Sequence, residues 1–446
     1  MRSMWKILPV VLMLAALLAG CGGKAPDSMQ SGLRPEPSTE VWGTAVDPAV
    51  TQSQDSAADP VTDSTADSAV EPAPAPSATP SPVSTPEPQP ESLRELVDTE
   101  IPVWINGVEL RGLLINGTTL VDAGEVMDIA PGYDFQWKQY VEASEERFAF
   151  LGKDGTYAEI GYTMVGDTAH GPEKYDGTGG IYFEGHDGME FWLPVRWLSD
   201  LIDANLLWDS ELGTVYLTSR VDKTMIPVGE GIPVLMYHAV SDDLWSSITE
   251  LFVSPEDMRQ QIEYLLENGY TPIFFSDLPN LEEIEKPILL TFDDAYDDNY
   301  TELFPILQEY GVKATVFVIT GMLGDEHYIT AEQAREMSDS GLVDIQSHTV
   351  DHYELADLSW EDQEYQLSQS RLEIARITGR VPYALAYPSG SRSGDTLDLA
   401  MEYYDFGIDM NGGTWYTEAD ERDFYQVDRI YISRENGVEG FIARLP

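Results

Sequence analysis

The chain has 446 residues, enough for two cores and the linkers between them. It carries 25 Lys and Arg against 78 Asp and Glu, a formal net charge of -53. Such an acidic chain repels phosphate backbones, so no nucleic-acid partner is expected, and the plainest reading of the charge is a solvated surface.

Residues 1–20 read as an export signal. Arg2 and Lys6 supply the positive start, and Ile7 to Leu18 form an apolar stretch too short to span a bilayer comfortably. The segment closes on Leu18-Ala19-Gly20-Cys21, which resembles a bacterial lipobox. That resemblance implies cleavage before Cys21, acylation of its side chain and a membrane anchor through it. An uncleaved membrane anchor is the competing reading, and both place the remainder outside the cytoplasmic membrane, at its extracellular face. Cys21 is the only cysteine, so no internal disulfide can form.

Residues 21–95 are rich in Ser, Thr, Pro, Ala and acidic residues, ending in EPAPAPSATPSPVSTPEPQP. This composition cannot bury enough apolar surface to offset its ordering entropy, so a disordered linker is expected. With Pro-rich stretches extended at about 3.1 Å per residue, it would reach on the order of 100 Å.

Residues 96–222 form a different unit. Val103-Trp104-Ile105 and Thr214-Val215-Tyr216-Leu217 read as strands. A loose internal repeat pairs Leu120-Val121-Asp122-Ala123 and the later Phe135-Gln136-Trp137 with Leu193-Pro194-Val195-Arg196 and the later Leu206-Leu207-Trp208. With the opening Ile105-Asn106-Gly107, these segments resemble the small α+β stalk domain of copper amine oxidases. No metal cluster is visible in this unit, since His170 and His186 sit in Gly-rich loops. It is read as a spacer or a cell-wall-binding module.

Residues 228–446 alternate strand and helix. Val234 to Tyr237 is a strand candidate. Ser254-Pro255 opens a helix with an apolar face of Met258, Ile262, Leu265 and Leu266, stopped by Gly269. Strands follow at Thr271 to Phe275 and Ile288 to Phe292, then a helix stopped at Gly311 and a strand from Ala314 to Ile319. Thr330 and Gln333 form a capping pair for a helix ending at Gly341. The strand Leu342 to Gln346, a long helix from Ser359 to Thr378 and the strand Ala384 to Tyr387 complete the pattern. Repeated βα units predict an α/β fold with a parallel sheet, open or closed into a barrel.

The polar residues of interest fall at the C-terminal ends of these strands, the face where βα barrels carry their chemistry. His238 ends the first strand, Asp293 and Asp294 follow Phe292, His348 follows Gln346, and Pro388-Ser389-Gly390 follows Tyr387. His348 and His352 are spaced i, i+4 among only six histidines. Imidazole suits zinc, and a catalytic zinc commonly takes three protein ligands. Alone, the pair is equally compatible with a polar surface loop. The aspartates favour the metal, because adjacent residues at a strand end point in different directions. One carboxylate can then bind a cation while its neighbour faces a bound water. A glycosidase pair needs carboxyls about 5 Å or more apart across a sugar, which neighbours on one strand fit poorly. The competing reading is a cluster capping the next helix, a part that Asp297 and Asp298 also suit.

From Val234 onward the chain resembles the NodB-homology polysaccharide deacetylases, carbohydrate esterase family four. Thr291-Phe292-Asp293-Asp294 and His348-Thr349-Val350-Asp351-His352 are the most specific motifs. Val234 to His238 and Tyr387 to Gly390 resemble a branch acting on poly-N-acetylglucosamine or other envelope glycans. The resemblance implies a distorted (β/α) barrel with fewer than eight strands, Asp293 as catalytic base, and Asp294, His348 and His352 as ligands of a divalent metal, by default Zn2+. It implies an N-acetylated glycan as substrate, acetate as product, and a backbone N–H at Ser389 for the oxyanion. Several positions depart from the family pattern. Ala295 stands where Gly is usual, Ala386 where many members carry an Arg that orients the base, and Ser389 where an aromatic is usual. No histidine follows His352 to serve as general acid. His238 is the substitute candidate, against a hydrogen-bonded structural role. Arg429 reads first as an ion-pair partner for one of the many carboxylates and second as a residue near the site, and Trp415 as an acetyl wall or an ordinary core residue. A glycan-binding protein that has lost turnover, or a hydrolase of another amide or ester, are the alternatives.

Overall fold

The computed structural model describes residues 97–446 apart from 130–132, 141–144, 153–156, 166–178, 186–187 and 418–419. The export signal, Cys21, the linker up to residue 96, His170 and His186 lie outside the described residues. No helix among the described residues is long and apolar enough to cross a membrane.

The N-terminal segment is a ten-stranded, mostly antiparallel sheet between Thr99 and Ser219. Each half of the repeat noted above folds as strand, short helix, strand. One runs Thr118–Asp122, Ala123–Ile129, Tyr133–Tyr140, the other Gly188–Pro194, Val195–Leu201, Ala204–Asp209. The leading strands of the two halves pair with each other, Val121 opposite Leu193. Val103, Val121, Val126, Leu198 and Leu217 form its core.

The C-terminal segment is built on eight parallel strands: β1 (Val234–Tyr237), β2 (Thr271–Ile273), β3 (Pro287–Phe292), β4 (Ala314–Val318), β5 (Val343–Ser347), β6 (Ala384–Ala386), β7 (Phe406–Ile408) and β8 (Ile430–Tyr431). Their order is β7-β6-β5-β4-β3-β1-β8, with β2 paired to the start of β3. A bridge between Ile408 and Val427 joins the β7 edge to the stretch leading into β8, so the sheet curls around an interior. The count exceeds the number that the family resemblance implied because β2 and β8 are stubs of three and two residues. β3 to β6 are nearly continuous runs of buried residues, the pattern of a parallel sheet covered on both faces.

The connecting helices are α1 (Pro255–Glu267), α2 (Phe304–Tyr310), α3 (Ala331–Asp339), α4 (Trp360–Thr378), α5 (Gly394–Tyr403) and α6 (Gly437–Ile442). Their boundaries follow local chemistry. The Ser254 and Ser359 hydroxyls accept from Asp257 and Asp362 N–H, and Thr330 and Gln333 form the expected reciprocal cap. Two expectations fail in detail. Leu266 is 40% exposed, leaving Met258, Ile262 and Leu265 as the buried stripe. The strand from Thr271 ends at Ile273, because the backbone then turns into a tight helix beginning at Phe275.

The N-terminal sheet rests on the C-terminal half of α4. Asp209, 1% exposed at its side chain, takes Arg376 through two bonds of 2.7 and 3.0 Å. Thr218 Oγ1 accepts from Val381 N–H at 2.7 Å. Gly379 ends α4 with φ +72°, and an added Cβ would lie 2.2 Å from the Trp104 ring. Both the left-handed backbone and the close approach require glycine. Gly379→Ala should therefore lower stability by about 1–3 kcal/mol, read as a reduced urea midpoint. An unchanged midpoint would show that Trp104 does not pack there.

Candidate metal centre

All eight strands run the same way, so their C-terminal ends gather on one face of the sheet. At β3 the ladder continues one residue past the strand, with Asp293 N–H donating to Tyr237 O at 2.9 Å. The chain then leaves through two left-handed residues, Asp294 at φ 72° and Ala295 at φ 58°. That conformation accounts for the glycine usual at position 295, and Ala there carries a strain of about 1 kcal/mol or more. At β5, His348 N–H extends the ladder to Val318 O at 2.9 Å. The following loop holds Thr349 at φ 66° and His352 at φ 58°, and Thr349 Oγ1 accepts from His352 N–H at 3.1 Å. A β-branched residue at positive φ is a marked outlier and signals a loop held from outside.

These two turns bring Asp294, His348 and His352 together, all buried, with their ligand atoms within 4.8 Å of one another. Asp294 Oδ1 lies 3.5 Å from His348 Nε2 and 3.6 Å from His352 Nε2. It has no hydrogen-bond partner although it is buried. A tetrahedral zinc with bonds of about 2.0–2.1 Å holds its ligands about 3.4 Å apart, close to the spacing observed. His348 Nδ1 sits 2.8 Å from Ala386 O, which places its proton on Nδ1 and leaves Nε2 with a free lone pair. Burial lowers the His348 pKa to about 4, so the ring is neutral at pH 7, as a ligand must be. The residues therefore fit a divalent cation.

Asp293 points elsewhere. Arg429, fully buried, donates to both of its oxygens at 2.7 Å and also to Thr291 Oγ1 at 3.2 Å. Burial alone would raise the Asp293 pKa, but the Arg429 guanidinium, with His348 and His238, outweighs it and holds the carboxyl well below the usual range. Arg429 is thus an ion-pair partner, as its sequence context suggested, and its carboxylate is the one beside the metal centre. No arginine stands at 386, where the Ala386 carbonyl orients His348, and Arg429 holds the Asp293 carboxylate. Its Nε donates to Asp409 O at 2.9 Å, and Phe317 lies under it at 5.9 Å.

The other candidates separate. His238 ends β1, buried, edge-on to the Tyr431 ring at 6.0 Å. Its Nδ1 has no hydrogen-bond partner, and burial lowers its pKa while the two aspartates pull the other way. Ser389 occupies a left-handed turn after β6 at φ 56°, its hydroxyl buried and unpaired. Trp415 is no wall of this site. It is 3% exposed, packs on Phe424, and lies on a strand opposite Ile232, ahead of β1 and at the other end of the barrel. Asp298 does not cap the following helix either. Its Oδ1 reaches back to Val240 N–H at 2.9 Å and to Asn299, whose amide holds the His238 carbonyl at 2.9 Å. Burial raises the Asp298 pKa to about 7.

Fold and cluster together define a parallel α/β barrel protein with a buried Asp-His-His cluster that fits a cation and an arginine-held carboxylate at its strand ends. Comparison with known proteins agrees. The polysaccharide deacetylase family model matches residues 281–404. The Bacillus subtilis protein YxkH, whose name places it among polysaccharide deacetylases, is 32% identical over 208 residues, covering 45% of this chain and 71% of that one. The poly-beta-1,6-N-acetyl-D-glucosamine N-deacetylase of Escherichia coli is 31% identical over 144 residues, 28% of this chain and 21% of that one. Among solved structures, the Streptococcus pyogenes deacetylase PplD in complex with acetate is 30% identical, covers 49% of this chain and 99% of that one, and superposes with a TM-score of 0.45. The chain belongs to the polysaccharide deacetylase family.

The Asp293–Arg429 pair gives a signed prediction. Arg429→Met leaves a buried carboxylate without its cation, at a cost of about 3–5 kcal/mol at pH 7. The wild-type Asp293 pKa is depressed, so its stabilising contribution is present above the unfolded value of about 3.9 and is lost only as pH falls through the folded value. In the variant burial dominates and raises the pKa, so protonation relieves the penalty. Urea unfolding in the presence of a chelator should show the stability gap narrowing from pH 7 to pH 5. A constant or widening gap would contradict the pairing.

Proposed function

We propose that the chain is a metal-dependent hydrolase that removes N-acetyl groups from an amino-sugar polymer of the cell envelope, of the peptidoglycan or poly-N-acetylglucosamine type, releasing acetate. The observation that carries this reading is the convergence of Asp294, His348 and His352 beside an Asp293 that Arg429 keeps ionised. The substrate class draws on the poly-N-acetylglucosamine deacetylases among the relatives.

Asp294 Oδ1, His348 Nε2 and His352 Nε2 would hold the cation, with zinc the natural choice for a carboxylate and two imidazoles. When bound, it supplies a Lewis acid for the acetyl carbonyl and acidifies a water. Asp293 then accepts a proton at a carboxylate oxygen. Arg429 fixes the plane of that carboxylate and holds its pKa well below the usual carboxylate range. The Ser389 N–H, in its left-handed turn, is assigned to the developing oxyanion. His238, with its Nδ1 free of protein partners, is assigned to pass a proton to the leaving amine. Because burial keeps it neutral at rest, it can do so only after receiving the proton that Asp293 has taken from the attacking water, which returns both groups to their starting states when the amine leaves.

The first residues support an exported, lipid-anchored protein, tethered through Cys21 by the linker, with the N-terminal sheet as spacer or wall-binding module. The decisive experiment is acetate release from N-acetylglucosamine oligomers and cell-wall material. Asp293→Asn should lose about 10²–10⁴-fold in rate, and chelation should abolish release until Zn2+ is restored. Equal release by wild type and Asp293→Asn would remove Asp293 from the mechanism. A folded wild type that binds glycan and releases no acetate would establish the non-catalytic alternative.

A further inference from the structure

Helix α4 buries one face against the barrel, and that face carries Gln363, Gln366, Leu367, Ser370, Ile374 and Thr378. A glutamine that is 4% exposed must find partners for both ends of its amide. Gln366 finds them all in the loop between His348 and His352. Its Oε1 accepts from the backbone N–H of Val350 at 3.1 Å and of Asp351 at 2.9 Å, and its Nε2 donates to Asp351 Oδ2 at 2.8 Å.

Most of the loop's remaining polar backbone is met from other directions. Thr349 N–H goes to Ser347 Oγ and His352 N–H to Thr349 Oγ1. On the opposite side, Thr320 N–H and Gly321 N–H donate to the carbonyls of Thr349 and Val350 at 3.1 and 2.8 Å. Gly321 permits that approach, since a Cβ there would lie 2.6 Å from Val350 O. Among the described residues, only Gln366 grips the middle of the loop by a side chain from another element. Without it, two adjacent N–H groups lose their acceptor, and a loop with Thr349 and His352 at positive φ loses one of the contacts that hold it there.

We infer that Gln366 is the positioning residue that sets the spacing of the two imidazoles, and so the cation affinity of the centre. This inference rests on the reading of Asp294, His348 and His352 as a cation site. Outer-shell groups that orient ligands are commonly worth about 10–100-fold in affinity, the range expected here.

The test measures Co2+ affinity by chelator competition, and the visible spectrum of the bound ion, on the full chain with folding checked by thermal melting. Gln366→Leu should weaken binding about 10–100-fold and alter the spectrum. Gln366→Glu keeps an acceptor for the two N–H groups but sets a carboxylate against Asp351, and should fall between. Adding Asp351→Asn to Gln366→Glu reverses donor and acceptor across the same contact, and should restore affinity and spectrum. A purely structural role would lower the melting temperature and leave both unchanged in the folded fraction. If Gln366→Leu folds and binds like wild type, the inference fails while the cation reading stands. If Gln366→Leu does not fold, the single and paired glutamate variants decide. Equal affinity for those two overturns the inference, and recovery only in the pair supports it. A wild type that binds no Co2+ removes the cation reading and this inference together.

Discussion

Two adjacent carboxylates, Asp293 and Asp294, are 2% and 4% exposed in a chain whose formal charge is -53. Each buried charge needs a compensating partner of its own, because like charges so close would otherwise drive one of them to protonate. The barrel solves this by sending them in different directions. Asp293 takes the guanidinium of Arg429 through both oxygens. Asp294 turns its Oδ1 toward two imidazole nitrogens, and that oxygen accepts no hydrogen bond among the described residues. The protein supplies one positive charge for two negative ones, and the place of the second is marked by the geometry of a metal ligand set.

Local backbone strain gathers around that arrangement. Asp294, Ala295, Thr349, His352 and Ser389 are all non-glycine residues at positive φ, and all lie on the turns that follow β3, β5 and β6. Such residues persist only where the surroundings over-determine them. Here the surroundings are identifiable: the ladder bonds that carry Asp293 and His348 past their strands, the Thr349 hydroxyl and the amide of Gln366. Helix α4 thus contacts the loop with its first half and carries the N-terminal sheet on its second, through Arg376 and Asp209.

Much of this was legible in the sequence for a physical reason. Strand ends, caps and the i, i+4 histidines are local features, and a parallel sheet necessarily collects its C-terminal ends on one face. From β1 to β6 strand and helix positions were therefore readable to within one or two residues, as was the approach of one carboxylate of the Asp293-Asp294 pair to the histidines. That it is Asp294 came from the family resemblance, and α5, β7, β8 and α6 were not read. What sequence could not specify were contacts made across the barrel. Arg429 reaches Asp293 over a sequence separation of 136, and only the return of the chain beside β1 brings it there. Its neighbours Asp428 and Ile430 carry no signal of that destination. Trp415 illustrates the reverse, an aromatic near the chain end that the same return places at the far end of the barrel. Asp298 looked like a cap because it precedes a helix, yet its carboxylate serves the first strand instead. Gln366 gave no signal, since a glutamine on a helix reads as surface until its partners are seen.

The central claim is that one cation is held between Asp294, His348 and His352 while Asp293 stays with Arg429. A crystal structure of the zinc-loaded protein, with anomalous data at the zinc edge, tests it most directly. The account predicts a single anomalous peak about 2.0–2.2 Å from Asp294 Oδ1 and both Nε2 atoms, with the Asp293–Arg429 pair intact. A peak ligated by Asp293, or lying away from these three side chains, would contradict it.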